Sequence, residues 1–152
     1  MEAEPASLRL FLKNIVSSPL PDVSGGNCFT LASLSESSCL REMEFYFPLK
    51  HLTRKRLKQV FGSLNTPSDL SAGLGRLAFA PTRGFMRGFI DLAFSFGHRY
   101  YLLDWKSNHL GSGPQSYDDK KLAAAMAKGN YFLQYHLYAL ALHRYLSNRL
   151  CD

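Results

Sequence analysis

Residues 88–107 read GFIDLAFSFGHRYYLLDWKS, two apolar strands joined by a short turn. Gly97 and His98 suit the centre of a two-residue Gly-X turn of the type II′ kind, which predicts a β-hairpin. Counting outward from that turn, residue against residue, Asp91 comes to face Asp104 across the ladder. The stretch therefore predicts two antiparallel strands that carry a pair of acids at the end far from the turn.

Acid and base share one face of this hairpin. Side chains two positions apart on a strand point the same way, so Lys106 joins Asp91 and Asp104. Directly opposed carboxylates have Cβ atoms about 5 Å apart and repel each other when nothing binds them. The charged face also holds Ala93 and Leu102, and the other face is predicted to be the packing surface, with Ile90, Leu92, Tyr101, Leu103 and Trp105.

Two carboxylates on rigid strands suit a hard divalent cation such as Mg²⁺, which uses one or two protein carboxylates and keeps its other positions for water and phosphate oxygens. Lys106 is the informative addition, because an ammonium beside a metal can orient the attacking water and offset charge on a phosphate oxygen. Phosphodiester hydrolysis is the chemistry this combination serves. The alternative is an ordinary salt-bridged patch at a sheet edge, which most isolated D-x-K sequences form.

The composition bounds the class of protein. At 152 residues and 46% hydrophobic content the chain is about one domain long, and its formal charge of +6 favours an anionic partner such as nucleic acid or a membrane surface. Cys28, Cys39 and Cys151 form no CxxC, so neither a disulfide framework nor a zinc or iron–sulfur site is indicated. No apolar run approaches the roughly 20 residues of a membrane span, and a cytoplasmic protein is expected.

Hydrophobic periodicity predicts an α/β fold in which helices flank a central mixed β-sheet. The predicted strands are 42–49, 84–95 and 99–106, and the predicted helices are 6–16, 53–61, 118–128 and 131–147. The first helix is expected to pack on the domain, and the Ser-, Pro- and Gly-rich residues 17–39 to form a lead-in with a solvated connection at 33–38.

The last predicted helix carries an amide within an aromatic stripe. Gln134 and Tyr138 stand four residues apart on one face, with Tyr131, Leu142 and Tyr145 close by. A stripe that served only the core would have an apolar residue at position 134.

These segments together resemble the PD-(D/E)xK nucleases and, within them, the RecB-type nuclease domains of bacterial exodeoxyribonuclease V. The resemblance rests on EMEFYFPL, GFIDLAF, YYLLDWKSNHLG and AAAMAKGNYFLQYHLYALALHRYL, and it covers most of the chain from about residue 42. It implies a restriction-endonuclease-like sheet and a Mg²⁺-dependent DNA exonuclease or endonuclease, with Mn²⁺ able to substitute, that acts in recombinational repair and in degradation of foreign DNA.

Carried over by position, the resemblance makes Asp91 and Asp104 the motif acids and Lys106 the motif lysine, with the carbonyl of Trp105 a further metal ligand. Ile90 stands where the superfamily name has proline, and Asp104 replaces the commoner glutamate. The upstream acid is matched to Glu44, with Glu42 as the alternative. Gln134 and Tyr138 match a Q-x-x-x-Y motif, which implies that they approach the active site or the nucleic-acid backbone.

One feature departs from the resemblance. RecB-type domains have a further metal-binding histidine on an upstream helix, whereas this chain has no histidine before His51. The expectation is a single nuclease domain over 1–152, with a lead-in at 1–40 and a catalytic core at 41–150, that lacks this helix region. The alternative function is an inactive DNA-binding or subunit-docking module of the same fold. The implied partners are DNA, as single strands or duplex ends, and the gamma and alpha subunits of an exodeoxyribonuclease V complex.

Overall fold

The structure, a computed structural model, describes residues 5–22, 28–63 and 82–150. In chain order the elements are α1 (Pro5–Ser17), β1 (Cys39–Leu52), α2 (Arg54–Ser63), β2 (Thr82–Phe96), β3 (Arg99–Leu103), α3 (Asp119–Lys128) and α4 (Tyr131–Ser147). Within the described residues, short 3-10 helices cover Leu31–Ser33, Glu36–Ser38 and Pro114–Tyr117. Cys151, and the parts of the predicted lead-in at 1–4 and 23–27, lie outside the described residues. Among the helices described, none has the length and apolar character that a bilayer crossing requires.

The described strands form one three-stranded sheet in the order β1-β2-β3, with helices alongside it, so the predicted α/β class is confirmed. Both strand pairs are antiparallel, and the predicted mixed sheet is therefore corrected to an antiparallel one over the described residues. The hairpin register agrees with the count from the turn, because Phe96 pairs with Arg99, Phe94 with Tyr101 and Leu92 with Leu103.

The turn of this hairpin differs in type from the prediction. Gly97 has a φ of 54° and His98 a φ of 61°. Positive φ at both central residues defines a type I′ turn, whereas type II′ needs it only at the first. Both turns have two residues, so the register was correct although the turn type was wrong.

The main core lies between one face of the sheet and α4. Its buried members are Met43, Phe45, Phe47, Ile90, Ala93, Ala141 and Leu142. The alternation of Met43, Phe45 and Phe47 turns every second side chain of β1 towards α4. Gly88 pairs with Phe45, and a Cβ at Gly88 would lie 2.3 Å from that ring, so the ring occupies the space that glycine leaves.

The regular alternation of buried and outward side chains along β2 is interrupted opposite Glu42. Ile90 and Ala93 both belong to the main core, although side chains three apart on a regular strand point to opposite faces. Glu42, which lies opposite this point of β2, has a φ of 50°, a rare conformation for a residue with a side chain. Ala93 and Leu102, predicted to lie on the charged face, therefore pack with the core.

The first forty residues pack only in part. The helix predicted at 6–16 exists as α1, where Leu8, Leu10, Phe11 and Leu12 are more than half exposed and Val16 lines a cavity with Leu92 and Trp105. Before the predicted solvated connection at 33–38, Phe29 is buried against the hairpin and stacks on Phe96 with ring centroids 4.2 Å apart. A single aromatic residue inside a polar stretch leaves no periodic signal in the sequence.

Candidate active site

Asp104 lies at the centre of a group of polar contacts directly after the end of β3. Its Oδ2 accepts a hydrogen bond from the ammonium of Lys106, and its Oδ1 accepts one of 3.4 Å from Nε2 of Gln134. The Asp104 side chain is 22% exposed and that of Lys106 33% exposed. The structure thus brings together an acid, a base and an amide from two elements that are 30 residues apart in the chain.

Helix α4 holds Asp104 through the linked side chains of Gln134 and Tyr138. Nε2 of Gln134 also donates 2.8 Å to the hydroxyl of Tyr138, whose ring meets that of Phe45 edge to face at 5.7 Å. The apolar part of Tyr138 is therefore fixed in the core while its hydroxyl orients Gln134. A polar residue at position 134 is explained by its contact with Asp104, which a residue serving only the core would not need.

Lys106 has a second neighbour on the same helix. Its Nζ lies 4.5 Å from the centroid of the Tyr131 ring, within the range of a cation–π interaction. The hydroxyl of Tyr131 donates 2.9 Å to Oδ1 of Asn108 and so ties the helix to the loop that follows β3. Sequence reasoning placed Tyr131 near the stripe but assigned it no role. Its position at the first turn of α4, beside the motif lysine, could only be found from the fold.

Asp91 binds the same segment through the backbone. Its Oδ2 accepts a 2.7 Å hydrogen bond from the N–H of Trp105. The predicted strand 99–106 is therefore too long, because β3 ends at Leu103. The backbone N–H of Trp105 donates to the side chain of Asp91 on β2 instead of to a backbone carbonyl of that strand. Asp91 therefore fixes the backbone of the residue that follows Asp104, whereas the predicted Asp91–Asp104 pair lies beyond the last ladder pair, Leu92–Leu103.

Glu44 has different partners. Its Oε1 accepts a 2.8 Å hydrogen bond from the Tyr46 hydroxyl and a further bond from Nε of Arg87. The Tyr46 hydroxyl, followed by the Arg87 guanidinium, lowers the pKa of Glu44 below its ordinary value. No contact in the described part of the chain joins Glu44 to Asp91 or Asp104, although the sequence comparison had matched Glu44 to the upstream acid.

Glu42, the alternative upstream acid, lies nearer the site. It occupies the position of β1 that falls between the pairs Arg41–Leu92 and Met43–Ile90, and so opposite Asp91. Glu42, Asp91 and Trp105 line one cavity of about 640 Å³. The β1–β2 register could not be counted from the sequence, because no short turn joins these strands, and this is why the opposition of Glu42 and Asp91 was missed.

Comparison with known proteins finds similarity to RecB subunits of bacterial RecBCD enzymes. The chain is 45% identical over 124 residues to the RecBCD enzyme subunit RecB of Escherichia coli, and 37% identical over 141 residues to that of Buchnera aphidicola from Acyrthosiphon pisum. These alignments cover 81% and 92% of the chain. The chain is similar to a segment of RecB. The chain spans about a tenth of the length of these relatives, namely 10% of the E. coli RecB and 11% of the Buchnera RecB. No family model matches the chain.

The similarity to RecB includes the candidate site. The RecB subunit of Mycolicibacterium smegmatis is 32% identical over 171 residues, in an alignment that covers 99% of this chain and 15% of that RecB. With nearly the whole chain aligned, the hairpin and α4 both fall inside the segment that is similar to RecB. The described residues contain no group of three or more His, Cys, Asp or Glu side chains placed to hold one metal ion.

Proposed function

We propose that this chain is the nuclease segment of a RecB-type protein, a Mg²⁺-dependent deoxyribonuclease of the PD-(D/E)xK type. The observation that supports it best is the contact between Lys106 and Asp104, with Gln134 on the other carboxylate oxygen and Asp91 fixed to the intervening Trp105. An ordinary surface salt bridge would not need a half-buried tyrosine and an amide to orient the acid. The substrate is DNA, as single strands or duplex ends, in repair and in degradation of foreign DNA.

The donor set fits Mg²⁺. This ion binds through one or two carboxylates and retains several waters, so Asp91 and Asp104 suffice without a third acid. The carbonyl of Trp105 adds an oxygen on the segment whose N–H already binds Asp91. Mg²⁺ held there would act as a Lewis acid on a phosphate oxygen and would lower the pKa of a bound water.

Lys106 is proposed to act on the water and on the phosphate. Its ammonium has three donors, of which Asp104 takes one, and the Tyr131 ring covers one side of it. The remaining donors can hold a water in line with the phosphorus atom or neutralise an equatorial phosphate oxygen as charge develops. Gln134 holds Asp104 in place, so that the acid does not rotate away with the lysine.

Glu42 is a better candidate than Glu44 for the further acid of this site. It lies across the ladder from Asp91 and faces the same cavity. Glu44 is already bound by Arg87 and Tyr46. We therefore assign Glu42 to orient a water or a hydrated ion beside Asp91, and we assign Glu44 to the sheet surface.

The test is cleavage of a 5′-labelled single-stranded oligonucleotide by purified protein with Mg²⁺ or Mn²⁺. Asp104→Ala and Lys106→Ala should each lower the rate at least about a hundredfold, because each removes a group placed at the reacting atoms. Lys13→Ala, on the exposed surface of α1, is the matched control and should cut as the wild type does. Equal cleavage by the Lys106→Ala variant would reject the assignment.

A second candidate is an inactive module of the same fold that binds DNA or docks to other subunits. The contacts of Asp104 favour it, since both of its carboxylate oxygens already accept hydrogen bonds from the protein, one from Lys106 and one from Gln134. Salt-sensitive DNA binding without metal-dependent cutting would select this candidate. Since the similar proteins are named as subunits of a RecBCD enzyme, we also propose that the chain works beside the gamma and alpha subunits of an exodeoxyribonuclease V complex.

A further inference from the structure

The outward face of β2 alternates cations with aromatic rings. Arg83, Phe85, Arg87 and Phe89 occupy every second position and are all exposed. Phe85 is 76% exposed and Phe89 45% exposed, although burial of a phenylalanine side chain favours folding. A row of exposed aromatic rings and cations on the open face of a sheet indicates a binding surface.

The neighbouring strand completes the surface. Tyr46 lies opposite Arg87 and is 56% exposed, and Pro48 lies opposite Phe85. The guanidinium of Arg87 stands 4.9 Å from the Phe89 ring centroid and 5.9 Å from that of Tyr46. We call the surface formed by Tyr46, Arg83, Phe85, Arg87 and Phe89 the aromatic platform.

We propose that the aromatic platform binds single-stranded DNA by stacking its bases, and that it leads the strand to the active site. Sheet faces that carry aromatic side chains bind unpaired bases in this way, with cations at the backbone. The proposal rests on the proposed nuclease function for its choice of ligand. Nucleic acid suits the platform better than an apolar protein surface does, because Arg83 and Arg87 alternate with its rings.

The spacing selects a single strand. The two rings of the row, Phe85 and Phe89, are four positions apart, which is about 14 Å along a β-strand. Bases in one strand of a B-form duplex follow each other at about 3.4 Å, and their faces are covered by their neighbours. Rings at about four times that spacing can stack only on bases that have been spread apart, which requires an unpaired strand.

The direction of the row points to the site. The next position in the alternation after Phe89 is Asp91, which we assign to the metal. A strand that lies along β2 is therefore led towards Asp91. Glu44 lies opposite Phe89 and binds Arg87, which holds the guanidinium against the rings.

The experiment measures binding apart from cleavage. Fluorescence anisotropy of a labelled oligo-dT is recorded in EDTA, with the Asp104→Ala background used for every protein. Phe85→Ala should weaken binding about 5- to 150-fold, the range found for loss of one stacked base, and Phe85→Trp should restore it. Arg83→Ala should lower the slope of log Kobs against log salt by about 0.7, since one phosphate contact is lost.

Phe11→Ala is the matched control, because Phe11 is 60% exposed on α1 and is not part of the platform. Its affinity should equal that of the unsubstituted background. Equal affinity for the Phe85→Ala protein, an equal loss in the Phe11→Ala protein, or no binding of oligo-dT at all would each overturn the proposal and leave the platform as a surface for protein.

A second readout locates the strand directly. Oligonucleotides that carry 5-iodouracil, irradiated on the protein in EDTA, should cross-link to the tryptic peptides 84–87 and 88–99. Cross-links confined to other peptides would overturn the proposal. If the wild type binds oligo-dT but shows no Mg²⁺-dependent cleavage, the nuclease assignment is rejected and the platform is retained. If Phe85→Ala changes neither cleavage nor binding, the platform is rejected and the nuclease assignment is retained.

Discussion

The N–H of Trp105 donates a 2.7 Å hydrogen bond to Oδ2 of Asp91, so the acid of one strand fixes the backbone beside the acid of the next. This contact gives Asp91 a structural role in addition to the proposed metal-binding role. The two roles respond differently to substitution, because an amide oxygen can accept the same hydrogen bond but is a poor ligand for Mg²⁺.

The first prediction separates these roles with two variants. Asp91→Asn and Asp91→Ala should both lose cleavage. Asp91→Ala should in addition be less stable than Asp91→Asn by about 1 kcal/mol, the net worth of a hydrogen bond that Asn can keep. Urea denaturation followed by circular dichroism measures the difference. Full activity in Asp91→Asn would contradict the metal assignment, and equal stability of the two variants would contradict the structural role.

The second prediction concerns the support that α4 gives to Asp104. Gln134→Leu fills a similar volume but donates no hydrogen bond, so Asp104 should lose its orientation and kcat/KM should fall about 10- to 100-fold, as for other groups that orient a metal ligand. A higher Mg²⁺ concentration should be needed for half-maximal rate. The same substitution at the exposed Gln59 on α2 is the control and should change neither quantity. An unchanged Mg²⁺ dependence in Gln134→Leu would remove Gln134 from the site.

The third prediction compares the two glutamates of β1. Glu42→Gln should lower the cleavage rate at least about tenfold, since Glu42 lies opposite Asp91 and lines its cavity. Glu44→Gln should cleave short substrates at a rate within about twofold of the wild-type rate, because Glu44 contacts Tyr46 and Arg87 rather than the proposed reacting groups. Single-turnover cleavage measures both. The opposite ranking would restore the assignment made from sequence alone.

The fourth prediction uses the acid titration of Glu44. Hydrogen bonds from Tyr46 and Arg87 lower its pKa from 4.5 in the folded state, so the folded chain favours the carboxylate. Its contribution to stability is present above the ordinary pKa and disappears as the pH falls through the lowered one. Between neutral pH and pH 3, the wild type should therefore lose more stability than Glu44→Gln, whose amide does not titrate. Parallel pH curves of the two urea midpoints would contradict this.

Part of this structure could be read from the sequence because it depends on local rules. The two-residue turn fixes the register from Phe96 and Arg99 outward, and the i, i+4 spacing fixes the shared face of Gln134 and Tyr138. The ends of α4 follow from periodicity and from Asn130, which has a φ of 54° just before the helix. The residues that surround Asp104 were therefore predictable.

The rest depends on contacts between distant segments. The opposition of Glu42 and Asp91 needs the β1–β2 register, and the positive φ of Glu42 that accompanies the exchange of faces has no signature in residue type. Phe29 is buried by a strand that lies more than 60 positions further along the chain. The aromatic platform was also missed, since alternating residues on an amphipathic strand do not show which face the protein covers.

The last prediction tests the packing that holds β1 against β2 below the site. A Cβ at Gly88 would lie 2.3 Å from Cζ of Phe45, and that ring is confined by Phe47 at 5.2 Å and Tyr138 at 5.7 Å. Gly88→Ala should therefore destabilise the fold by about 1–3 kcal/mol, the usual cost of overpacking a core, as measured by urea denaturation.

The matched control for this substitution is expected to raise the free energy of unfolding rather than lower it. Gly62 lies in α2 with no atom within 4 Å of its would-be Cβ, so Gly62→Ala should stabilise the helix by up to about 1 kcal/mol. Combining Gly88→Ala with Phe45→Leu should recover part of the loss, because the shorter side chain vacates the space that the new methyl group needs. If Gly88→Ala alone were as stable as the wild type, the Phe45 ring would not lie over Gly88, and the alignment of Asp91 with Glu42 would have to be drawn again.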